Sequence, residues 1–153
     1  MIETVATKTV KDRRSETLSR LSRCREEDGR MLIDLPIMHP SGAMVVVEVE
    51  CNRDKFMVSD MGYGLVEAEF MAAQDFYGSA AKKMADEFSV EFRESSIFSR
   101  WVSGAQLESA IICVSNASSK AASEAISRAS EAQKQQQNVR VFDRIAEVFG
   151  RAG

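Results

Sequence analysis

Histidine is almost missing from this chain: His39 is the single one in 153 residues. Ser-His-Asp and Cys-His catalysis are thereby removed unless a lysine or aspartate serves as base, and a histidine-rich zinc or iron site is excluded by count. Cysteine is nearly as scarce. Cys24, Cys51 and Cys113 are odd in number, widely spaced and form no CxxC pair, which excludes a zinc knuckle or a thioredoxin-like site and leaves free thiols of a reducing compartment. No apolar run approaches the roughly 18 residues of a membrane span, and the opening MIETVATKTVKDRR lacks the apolar core of a signal peptide. The expectation is a soluble, cytoplasmic protein with no membrane partner. Positive charge is not in excess either. Lys and Arg number 20 against 23 Asp and Glu, for a net charge of −3, so there is no general attraction to nucleic acid.

What is present suits one domain with a real core. Apolar residues make up 44% and charged residues 28%, the proportions of an ordinary globular protein. The segment KDRRSETLSRLSRCR, residues 11–25, is the one basic stretch. Leu18 and Leu21, three apart, predict a short helix from about Val10 to Arg25, closed at EEDG with Gly29 in a left-handed turn. Residues 1–29 are then an N-terminal helix, 30–118 an α+β core and 119–153 a helical extension.

Three strand signals follow. RMLIDLPIMHP alternates Met31, Ile33, Leu35 and Ile37 against Leu32, Asp34, Pro36 and Met38; Pro36 cannot donate to a ladder, which predicts an edge strand or one with a free outer side. MVVVEVEC sets Val45, Val47, Val49 and Cys51 against Val46, Glu48 and Glu50. KFMVSD is the third strand, and the short turns PSGA and NRDK favour an antiparallel meander. The period then becomes helical. YGLVEAEFMAAQ carries Leu65, Val66, Glu69 and Phe70, GSAAKKMADEFS carries Ala80, Ala81, Met84 and Phe88, and Gly78 is the expected break. VEFRESSIFSRWVS alternates again, as a hairpin over ESS. A long Ala-rich helix signal runs from about Ala105 to Gln135, KQQQN reads as a linker, and Asn138 starts a last amphipathic helix with Phe142 and Phe149. The fold class is α+β: an antiparallel sheet of four or five strands, helices on one face and a long Ala-rich C-terminal extension.

Chemistry has few footholds. His39 stands before Pro40 in a predicted turn and reads as a solvated loop residue. Asp34, Glu48 and Glu50 lie on adjacent predicted strands, but EVEC lacks the lysine of a nuclease acidic-x-Lys pair, so a solvated face outweighs a metal site. In SDMGYG the glycines after a strand could cradle phosphate on a helix N-terminus. The third glycine of a dinucleotide fingerprint and the Gly-Lys-Ser/Thr of a P-loop are both missing. Asp60 or Ser59 is expected to bond nearby amides as an exposed turn residue, with Gly62 or Gly64 at positive φ. No motif calls for a cofactor. The stripe Ala117, Ala121, Ala125 and Ala132 suits close helix-helix approach. It would be met either by the last helix through Phe142 and Phe149 or by a second chain, in a homodimer whose interface helices carry Ala117, Ala121, Ala125, Phe142 and Phe149.

The order LPIMHPSGAMVVVEVECNRDKFMVSDMGYGLVEAEF, then helix, VEFRESSIF and a long helix, resembles the domain of unknown function 1828 family over residues 30–118. Ser59, Asp60 and Gly62 carry its Ser-Asp-x-Gly strand-to-helix turn. The resemblance implies a small α+β domain of bacterial and prophage genomes, in a setting of host defence and counter-defence, and brings no catalytic residues. Members sometimes precede a nuclease-like domain, which here could only begin where the chain stops. With the catalytic inventory missing, the expected function is a non-enzymatic protein-binding module of phage type. One concrete form is an anti-CRISPR-like defence inhibitor that blocks a surface through Glu48, Glu50, Asp60 and Tyr63. The alternatives are a metal-dependent nuclease using Asp34, Glu48, Glu50 or Asp60, and a DNA-binding regulator using Arg13, Arg14, Arg20, Arg23 and Arg25.

Overall fold

The computed structural model describes residues 22–151. A single antiparallel sheet is built from β1 (Arg23–Glu27), β2 (Arg30–Met38), β3 (Met44–Asn52), β4 (Lys55–Ser59), β5 (Glu91–Arg93), β6 (Ser96–Phe98) and β7 (Val102–Ser103). The order is β1-β2-β3-β4-β6-β5, with β7 pairing the start of β4. Among the described residues three helices accompany the sheet: α1 (Tyr63–Phe70), α2 (Gln74–Glu87) and α3 (Leu107–Gly150). The α+β class and the long C-terminal helix are as the sequence pattern has them. Seven strands among the described residues, rather than four or five, arise because Arg23–Glu27 adds β1 and because β4 is shared: β7 takes its first half, and β6 joins its last residue, Ser59.

The first strand replaces part of the expected N-terminal helix. Residues 1–21, with Arg13, Arg14 and Arg20, lie outside the described residues, but Arg23–Glu27 are extended and pair with Arg30–Asp34. Asp28 and Gly29 turn the chain with φ of 52° and 75°, the left-handed pair that a two-residue type I′ hairpin requires. Asp-Gly was the available signal; the charge density of the segment masked it. Pro36 is not on an edge strand, since β2 pairs on both sides, but its own outer side is free, as the alternative reading has it. It sits beyond the last β1 partner, inside the register shift between Leu35 and Met38, where a bulge removes the need for its missing N–H.

One face of the sheet carries the core. Ile33, Leu35, Val45, Val47, Val58 and Ile97 point toward the helices, and Val45, Val47, Val58 and Ile97 are wholly buried. The helices pack on this face through small residues. In α1 the inward side is Gly64, Glu67 and Ala68, with Leu65 packed against the core, while Val66 and Phe70 face outward. The α1–α2 break falls at Met71–Ala73, where Ala72 takes φ of 53°, and Gly78 lies inside α2.

The helix α3 opens on a capping box between Ser103 and Gln106, across a short 3-10 turn. It then runs unbroken for 44 residues, about 66 Å at 1.5 Å per residue. KQQQN is therefore no linker and Asn138 no helix start: Lys and Gln are good helix formers, and nothing in the stretch breaks a helix. Ala117, Ala121 and Ala125 are completely buried inside this one chain, so the Ala stripe is spent on α2 and the sheet. The core therefore extends to Ala125, past residue 118. Phe142 and Phe149 cannot fold back onto that stripe, because they belong to the same unbroken helix. An Ala121→Leu substitution has no space to enter and is expected to cost about 1–3 kcal/mol, read as a lowered midpoint in urea denaturation.

Candidate functional site

Asp60 follows β4 on the core side of the sheet and is fully buried, not exposed as the turn reading had it. Its Oδ1 accepts the Gly62 and Ile97 amides, each at 2.9 Å, and its Oδ2 accepts Ser118 Oγ at 2.7 Å and the Gly64 amide at 3.4 Å. One carboxylate thus ties the β4–α1 turn, the β5–β6 hairpin and the middle of α3. The turn residues serve this directly. Gly62 takes φ of 80°, and Gly64 has no room for a side chain, because a Cβ there would overlap Tyr77 Oη and Ser118 Oγ. The two glycines differ in purpose: the first supplies a left-handed turn, the second a close approach. Of the three Ser-Asp-x-Gly residues, Ser59 adds a 3.0 Å bond from the Met61 amide to its hydroxyl.

Around this knot lies a buried polar group that sequence patterning does not reveal. His39 is 5% exposed rather than solvated, and Glu67 on α1 and Tyr77 on α2 are buried with it. Both His39 ring nitrogens, Glu67 Oε2 and Tyr77 Oη have no hydrogen-bond partner among the described residues. Burial holds the His39 pKa below its ordinary 6.5, against the opposing pull of the Glu67 and Asp60 carboxylates. Burial, with Asp60's charge beside it, pushes the Tyr77 phenol far above its usual range, so it remains a protonated donor. With every Asp60 oxygen already engaged, these groups form an interior polar layer.

The opposite face of the sheet holds the remaining carboxylates. Cross-strand rows place Arg25, Leu32, Glu48, Ser59 and Phe98 together, and Arg30, Glu50 and Met57 beside them. Arg30 pairs with Glu48 at 3.7 Å, and Arg25 pairs with Asp34 and with Glu27. A shallow groove of about 440 Å³ crosses this face between Glu48, Glu50, Arg30 and Arg93. Acidic and basic residues alternate, so Glu48 and Glu50 do not present the single-sign row that imitation of phosphates needs. Asp60 is on the other side of the sheet from them and cannot touch a partner. Tyr63, at 47% exposure, can. The four carboxylates of the nuclease reading are not brought together, and among the described residues no group of three or more His, Cys, Asp or Glu has metal-ligand geometry. Arg23 and Arg25 stand on the outer face of the edge strand, and Arg25 is engaged by acids on either side. The described helices include none long and apolar enough to cross a membrane.

A cluster of exposed apolar side chains lies at the far end of α3. From Gln133 to Gly150 every residue is exposed, about 27 Å of helix standing clear of the body. Val139, Val141, Phe142, Ile145, Val148 and Phe149 are 46–74% exposed. Of these, Phe142 and Phe149 were expected as interface residues; Ala117, Ala121 and Ala125 are not available for one.

Asp60→Ala is expected to cost about 3–5 kcal/mol, since it strands at least the buried Ile97 amide and Ser118 hydroxyl at ~1–3 kcal/mol each. Asp60→Asn is expected to lie between, and chemical denaturation of the three proteins checks the order. His39 gives a pH dependence of fixed sign. Its folded pKa is depressed, so its contribution is fully present above about pH 6.5 and is lost as pH falls through the lowered value. Thermal denaturation from pH 7.5 down to pH 5 is therefore expected to lower the Tm of the native chain more than that of His39→Gln. No protein-family model, characterised protein or solved structure matches the chain, so the chemistry of these sites is read from their own residues.

Proposed function

We propose that this chain is a non-enzymatic binding module that holds a protein partner with the distal end of α3. The observation that carries the reading is the exposed stripe Val141, Phe142, Ile145, Val148 and Phe149. Its spacing of three and four residues makes one apolar helix face. At 100° per residue this stripe lies roughly 120–160° around the helix from the side that α3 buries with Ala117, Ala121 and Ala125. The body beneath α3 does not reach it, and a partner approaching from the other side does. Aromatic residues at such a seam are the usual anchors of binding energy.

The resemblance to the domain of unknown function 1828 family adds a setting: a phage or prophage protein that blocks a surface of a bacterial defence system. In that form Tyr63 and the alternating charges of the outer sheet face, which the arm leaves free, meet the blocked surface. Asp34 and Glu48 are paired with arginines on the outer face, Glu50 lies beside them, and Asp60 is buried on the core side, which supports binding over metal-dependent cleavage.

Phe142→Glu with Phe149→Glu leaves the body untouched, because both side chains are more than two-thirds exposed. The double variant is expected to keep its far-UV circular dichroism and Tm. It is expected to lose at least ~30-fold in affinity for the partner recovered by the native chain, the equivalent of a ~2 kcal/mol anchor. Partner capture unaffected by both substitutions would count against the arm as the binding element.

A further inference from the structure

We infer that the occupant of the arm is a second copy of this chain, and that the arms assemble into a helical bundle. The inference rests on the reading of α3's distal end as a docking surface and names what docks there. Three observations carry it.

The first is breadth. With Phe142 and Phe149 at a and Ile145 at d of a heptad, Val139 and Ala146 fall at e and Val141 and Val148 at g. A two-stranded coil places charged residues at e and g. Here the charges, Arg140, Asp143, Arg144 and Glu147, occupy the outer b, c and f positions. Apolar residues at a, d, e and g together make a face wide enough to touch two neighbouring helices, which is the geometry of a three- or four-helix bundle.

The second is area. Six side chains at 46–74% exposure leave on the order of 600 Å² of apolar surface in water, the upper limit for a typical monomer. Two such faces in contact remove about 1,200 Å², where specific interfaces begin.

The third is placement. The arm continues α3 without a break, and from Gln133 to Gly150 every residue is exposed, so the face stands clear of the body. Several arms can then converge while their domains splay outward. Packing of the Ala stripe inside each domain leaves that assembly independent of the core.

The test is the mass of the intact chain in solution, by sedimentation equilibrium across a concentration series reaching ~100 µM. The expected result is three or four times 17.0 kDa, falling to a single chain in Phe142→Glu/Phe149→Glu with unchanged Tm of the domain. Hydrogen exchange of the arm amides is expected to slow with rising concentration. A single-chain mass with freely exchanging arm amides overturns self-association and leaves the arm open to a different protein. A single-chain mass with protected arm amides overturns both readings, because part of the same chain then covers the arm.

Discussion

The buried carboxylate of Asp60 is the constraint on which the rest of this fold depends. Burying it requires that every lone pair find a donor, and the donors come from three separate parts of the chain: the Gly62 and Gly64 amides, the Ile97 amide and the Ser118 hydroxyl. The β4–α1 turn, the β5–β6 hairpin and α3 cannot shift relative to one another without leaving one of these groups unpaired in the interior. The same requirement explains the glycines. Gly62 gives the turn its left-handed step, and Gly64 lets α1 approach Tyr77 and Ser118 closely enough for the amide to reach the carboxylate.

Close approach is also the theme of the helical layer. Ala68, Ala80, Ala81, Ala117, Ala121 and Ala125 are all fully buried, so α1, α2 and α3 meet through small side chains. Large apolar residues come mainly from the sheet. Outside the core, Lys83 and Arg128 converge on Glu124, at 3.2 and 2.9 Å, and join α2 to α3. Beyond that point α3 leaves the body, and its composition changes from Ala and Ser to Val, Ile and Phe on a different side. The molecule thus separates a packing surface, used within the chain, from a docking surface, presented outside it.

Much of the architecture is legible in local pattern. The period-two runs of β2, β3 and β4 mark their strands, and the Ser-Asp-x-Gly turn marks the point where the sheet hands over to helix. Three features were hidden for physical reasons. The strand Arg23–Glu27 has almost no apolar content, as an exposed edge permits, so its charges read as a helix surface. The continuity of α3 depends on the absence of any breaker, a weaker signal than the polar run that resembles a linker. The burial of His39, Asp60 and Glu67 is wholly tertiary: each is covered by elements distant in sequence, and no local window contains that information. The candidate site suffers most from this. Asp60, taken as an exposed turn residue, is the interior knot, while the exposed Phe142 and Phe149 were expected as interface residues on a separate helix.

The most direct measurement of the central claim is residue-resolved amide hydrogen exchange of the native chain. If the Asp60 carboxylate locks three elements together, the Ile97 and Gly64 amides open only when the whole domain unfolds, and exchange as slowly as those of Val47 and Val58 in the sheet. Exchange of Ile97 and Gly64 orders of magnitude faster than the sheet core would mean that the turn and hairpin open by themselves, and would contradict the account.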